Sequence, residues 1–207
     1  MEQLELAYDH YKDSFTLIRE AEKERNKLFI LVVLLVTALY LFAIEPNSLY
    51  QILKDLIKEH SKVSMNFGFT TIQSLLWIIL LFYTIRYFQI NSYINRQYDY
   101  LHRLENSIDD KVDITFNREG RGYLDNYPKF LDLVYYIYTW IFPLIYICIV
   151  SYKIIGEWIN SKFSLHILFN SSIAGTIVIA TILYLRLIHT SKSSDNSCED
   201  ESLEVDN

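Results

Sequence analysis

Few residues of this chain have types and spacing suited to chemistry. Arg118, Glu119 and Arg121 surround Gly120, with Gly122 and Tyr123 directly behind. Two guanidiniums set between glycines can grip an anionic group through paired hydrogen bonds, on backbone free to wrap around it. The same residues also suit a tight turn that sends the chain back on itself. Gly120-x-Gly122 lacks the third glycine and the preceding strand of a dinucleotide site. A second set lies in an apolar run: Ser171 with Gly175 and Ser172 with Thr176 are small residues four apart, with Ala180 and Thr181 further on. Such ridges let two helices approach closely, and in an oligomer they could also line a polar pore.

Catalytic and metal-binding patterns do not assemble. Arg96 and His102 share a spacing found in some ribonucleases, but a short pattern in a polar helix arises easily by chance, and His102 beside Arg103 suits a solvated face. The five histidines, at 10, 60, 102, 166 and 189, fall in different regions and form no ligand set. Cys148 and Cys198 differ too much in setting to pair. No nucleophile elbow, phosphate-binding loop or zinc-protease helix motif occurs. The reading is of a protein that is not an enzyme and has no catalytic residue, cofactor or metal.

The elements that must carry these residues are set by four apolar segments, 28–44, 67–88, 133–152 and 165–188. Each is about 17–25 residues long, the length a helix needs to cross a hydrocarbon layer. Their backbone groups must be satisfied internally, and the runs lack the period-2 alternation of barrel strands, so helices are expected. Fourteen of the nineteen lysines and arginines precede the first segment, lie between the second and third, or follow the fourth, counting Arg86 and Arg186 at the last turns of the second and fourth. The positive-inside rule then puts both termini and the central loop in the cytoplasm. The polar first 27 residues and the poor cleavage site after the first segment make that segment a retained anchor. Arg86, Glu157 and Arg186 read as edge residues that snorkel, and Lys153 as part of the second outer loop. Pro143 should kink the third span and free a carbonyl.

Residues 1–27 read as one cytoplasmic amphipathic helix, its stripe made by Leu4, Tyr8, Tyr11, Phe15 and Ile18. Its expected partner is a helical extension of span two striped with Tyr87, Ile90, Ile94, Leu101, Leu104 and Ile108, since no glycine or proline interrupts 69–108. Residues 28–192, including the cytoplasmic loop 89–132, form the transmembrane bundle. A short interfacial helix is expected in 48–60, on the outer surface. Asp125 or Asn126 caps the helix entering span three, with Pro128 in its first turn. Segment 193–207 holds six acids and no base, which accounts for the net charge of −6, and reads as a disordered tail. Region 91–132 has eight acids against six bases, which argues against direct nucleic-acid binding despite its tyrosines.

The fold class is therefore all-α: a four-helix transmembrane bundle with a cytoplasmic extension. The layout of charged amphipathic N-terminus, long extension of span two, Arg118-Glu119-Gly120-Arg121 loop and four spans resembles small four-span bacterial anti-phage membrane proteins, such as the membrane subunit of the Kiwa defence system. The resemblance implies a homo-oligomeric sensor of a bacterial inner membrane, working with a soluble cytoplasmic partner protein that binds nucleic acid; the small faces of span four suit the same assembly, with a tetramer taken as its count. A pore-forming defence effector would share the layout.

Overall fold

The computed structural model describes residues 2–61, 68–109, 133, 136–160 and 163–204. All elements among them are helical: α1 (Glu2–Ile44), α2 (Pro46–Ser61), α3 (Phe69–Asp109), a π-helical turn (Ile137–Ile141), α4 (Phe142–Asn160) and α5 (Leu165–Glu204). Four stretches are long and apolar enough to cross a membrane: Glu5–Phe42, Phe69–Glu105, Ile137–Ile159 and Leu165–Ile188. The chain is an all-α, multi-pass membrane protein.

Two boundaries differ from the sequence reading, those of span three and of the C-terminal segment, whereas the division after Lys27 recurs between the compact units with no helix end to mark it. The amphipathic segment and span one are a single helix of 43 residues, because no breaker separates Lys27 from Leu28. Span three runs to Ile159 rather than Tyr152, because Ile154, Ile155, Trp158 and Ile159 continue its apolar character past Lys153 and Glu157. Helix α5 continues to Glu204, where disorder was expected from 193 onward; after Gly175 no glycine or proline stops it. The 41 residues of α3 and the 16 of α2 follow the expected lengths.

The chain divides into two compact units: Met1–Lys27 with Tyr87–Phe142, and Leu28–Arg86 with Pro143–Asn207. The first is the helical layer expected from the two stripes. Tyr11, Ile18 and Leu101 form its buried centre, with Ala7, Phe15 and Leu104 packed against them. Tyr87, Ile90 and Ile94 are buried along the same face of α3. Tyr8 departs from the stripe and is exposed. At about 100° per residue it lies some 60° off the line of Tyr11, and Ala7 takes the seam instead.

Polar groups finish this layer. The Tyr11 hydroxyl donates to the buried Glu105 carboxylate at 2.8 Å, and Tyr98 donates to Glu22 at 3.1 Å. His10 meets the edge of Tyr100, and the Arg25 guanidinium lies 4.9 Å from the centre of the Tyr138 ring. The many tyrosines thus join apolar rings to usable hydroxyls, as expected where one end of a side chain is dry and the other polar.

The π-helical turn has an identifiable cause. Phe142 N–H bonds to Ile137 O, five residues back. In that register the next donor, for Tyr138 O, is residue 143, and Pro143 has no N–H. The Tyr87 hydroxyl fills the gap, donating to Tyr138 O at 3.0 Å. The carbonyl that proline was expected to free is thereby satisfied.

The second unit is apolar outside and partly polar within. Leu34, Leu75, Phe82, Leu144, Ile155, Ile179 and Leu183 are exposed, whereas Gln73, Ser74, Thr84, Lys153, Asn170 and Thr181 are buried. A water-soluble protein rarely leaves so much contiguous apolar surface uncovered; lipid is the solvent that suits it.

Candidate functional site

The polar residues of the second unit gather at two levels between α3 and α4. At one level the Thr84 and Tyr146 hydroxyls share a 2.6 Å hydrogen bond, both side chains buried. At the other, Gln73 of α3 meets Glu157 of α4. Both partners are eleven residues from the first pair, three helical turns, so each helix presents the two positions on one face. The opposite directions of count mark α3 and α4 as antiparallel neighbours about 16 Å long between the two clasps.

Glu157 is the hub of the second level. Its Oε1 accepts from Lys153 Nζ at 3.0 Å, from Gln73 Nε2 and, at 3.5 Å, from Trp77 Nε1. Its Oε2 accepts from Asn170 Nδ2 at 3.1 Å. Asn170 Oδ1 in turn accepts from Ser74 Oγ at 2.9 Å. One carboxylate thereby joins three membrane helices. The Lys153 and Glu157 side chains are each 9 % exposed, so the pair is nearly dry, and its desolvation is offset by the added hydrogen bonds. No buried side-chain polar atom is left without a partner among the described residues.

This arrangement corrects two assignments. Glu157 does not snorkel, and Lys153 does not belong to an outer loop; both lie inside the span Ile137–Ile159, turned toward the bundle. The error came from ending the span at Tyr152. The pattern was present in the i,i+4 spacing of Lys153 with Glu157 and of Gln73 with Trp77, polar pairs inside otherwise apolar helices. Beside the network lies a cleft lined by Val36, Leu39, Trp77, Leu80, Val150 and Lys153, of ≈ 10 Å³, which is room for about one water.

The other candidate residues fare differently. Arg118, Glu119, Arg121 and Tyr123, like the capping pair Asp125 and Asn126 and Pro128, lie outside the described residues. On α5, Ser172, Gly175 and Thr176 are exposed, and a Cβ added at Gly175 would meet nothing within 4 Å. Ser171 is half-buried and accepts from Trp158 Nε1 at 2.8 Å. Thr176 Oγ1 donates to Ser172 O at 2.9 Å. Ser172, Gly175 and Thr176 therefore face away from their own unit, with the Thr176 hydroxyl bonded to its own helix. Arg96 is exposed, and the His102 side chain lies outside the described residues. Comparison with protein-family models, curated proteins and solved structures finds no match.

Proposed function

We propose that this chain is a homo-oligomeric sensor or scaffold subunit of a bacterial inner membrane, with both termini cytoplasmic, working with a soluble cytoplasmic partner protein in anti-phage defence. The observation that supports it is the first unit: helices that begin as spans continue into a layer with its own core, Tyr11, Ile18 and Leu101. A layer with its own core offers a partner an ordered helical surface. In this reading Arg118, Glu119, Arg121 and Tyr123 contact the partner or an anionic ligand, and the protein acts by contact rather than by catalysis. Its defence role rests on the resemblance in layout alone.

An oligomeric ion channel or membrane-disrupting effector is the second reading, motivated by the exposed Ser172–Thr176 ridge. The Thr176-to-Ser172 bond weighs against it, since a hydroxyl satisfied by its own helix has no need of pore water. The ridge suits close packing of a second copy. Pull-down with the products of neighbouring genes, beside conductance of purified protein in liposomes, separates the two. The scaffold reading expects a partner that is lost on Arg118→Ala/Arg121→Ala, and no conductance. Steady conductance altered by Thr176→Val, with no partner recovered, would replace it with the channel.

A further inference from the structure

We propose that Glu157 is a proton-sensitive clasp, which in its charged form holds α4 to α3 and α5 and on acidification lets α4 part from α3. The inference stands on the geometry of the second unit and does not depend on the cytoplasmic-partner reading.

The chemistry follows from the contacts of one carboxylate. Four donors from three helices converge on Glu157: Lys153, Gln73 and Trp77 at one oxygen, Asn170 at the other. A carboxylate can accept them all; a carboxylic acid has one oxygen turned donor and must lose at least one. The facing groups leave the charge balance to one residue. From α3 come Gln73 and Trp77, and from α5 comes Asn170, all uncharged; Tyr40 of α1 shares the cleft beside Lys153. Lys153 is the single charged partner of Glu157 among the described residues. When Glu157 takes up a proton, an O–H bond forms, the ion pair is lost, and the Lys153 ammonium is left unpaired in a dry site. Breaking one side of a buried pair is strongly unfavourable, so the helices must part to let water reach it.

Position makes the clasp reachable. Glu157 lies two residues from the end of its span, Gln73 four residues into α3, and Asn170 five into α5, all within roughly 8 Å of a helix end. A proton from bulk water needs no conduit. The response is also directional, because the other bonds carry no charge. The Thr84–Tyr146 clasp, the Ser74–Asn170 bond between α3 and α5 and the Trp158–Ser171 bond between α4 and α5 are uncharged and remain as Glu157 is protonated. Acidification therefore parts α4 from α3 at the Glu157 end, with the Thr84–Tyr146 clasp as pivot and α5 still joined to α4 through Trp158 and Ser171. Ionisable residues inside spans that pair with each other are the ones expected to respond to protons.

Trp77 reports on the clasp, since its indole points at Glu157. The test uses full-length protein in nanodiscs, where both faces meet the buffer, with Trp140→Phe and Trp158→Phe in the parent and every variant, so that Trp77 is the sole tryptophan and is excited selectively over the tyrosines. On lowering pH from about 7 to about 3, a window that crosses the ordinary glutamate value, acrylamide quenching of Trp77 is expected to rise about twofold or more as water enters. Glu157→Gln/Lys153→Met, which removes both charges, should abolish the rise, and Thr84→Val should leave it. Constant quenching in the parent protein, or an equal rise in the double variant, overturns the proposal. If the double variant fails to insert, Lys153→Met alone decides: without an ammonium to strand, the rise must shrink, and an unchanged rise is equally fatal.

Discussion

At the residue scale, single hydroxyls bear on stability because their acceptors are buried. Glu105 is 3 % exposed and is held by Tyr11. Tyr11→Phe keeps the ring but leaves a carboxylate short of its donor, so it should destabilise the folded protein by about 1–3 kcal/mol, read as a lowered melting temperature in detergent. Replacing both groups, Tyr11→Phe/Glu105→Leu, should recover much of that loss, since the penalty belongs to the orphaned acid rather than to the missing bond. Tyr87 gives a second case. Tyr87→Phe strips Tyr138 O of its donor, at about 1 kcal/mol. In a Pro143→Ala background the cost should be smaller, because residue 143 regains an N–H able to serve the helix; equal costs in both backgrounds would show that proline is not the reason for the bond. Such pairings were only half legible. Pro143 announced a freed carbonyl, but a carbonyl's partner comes from a residue 51 positions away, which no local pattern specifies.

At the element scale, helix lengths were readable and helix neighbours were not. The absence of breakers between Phe69 and Asp109 and the steps of three and four along that stretch foretold both α3 and its buried stripe. The Glu157 hub was missed for a physical reason: hydropathy averaging treats Lys153 and Glu157 as the end of a span, whereas a buried ion pair is tolerated once Gln73, Trp77 and Asn170 supply its hydrogen bonds. The small residues of α5 could be found by spacing, but which way they face could not. Ala174 is 3 % exposed and turned inward, while its neighbour Gly175 is exposed. Leucine at the two positions should therefore act on different properties. Ala174→Leu overfills the bundle and should lower stability by about 1–3 kcal/mol. Gly175→Leu should leave monomer stability near that of the parent, but reduce the oligomeric mass in mild detergent as the ridge loses its close approach. A Gly175→Leu protein of unchanged mass would remove the ridge from any subunit contact.

At the scale of the whole molecule, charge decides how the helices are threaded through the bilayer. Recognising Lys153 as buried sharpens the asymmetry: Lys54, Lys58, Lys62 and Lys162 remain on one side, against the fourteen basic residues of the termini and the central region. The acids between and beyond the spans matter little, because the rule counts lysine and arginine near span ends rather than net charge. Both termini and the central region should then share the cytoplasmic face, and α2 should lie outside. Three single-cysteine proteins in a background lacking Cys148 and Cys198 can report this. Ser48→Cys and Ser161→Cys are expected to react with a membrane-impermeant maleimide applied to intact cells, and Ser193→Cys only after the membrane is opened. Labelling of Ser193→Cys in intact cells, with the other two protected, would invert the topology. It would also move the Glu157 clasp from the outer to the cytoplasmic end of the spans, so that it met cytoplasmic rather than external pH.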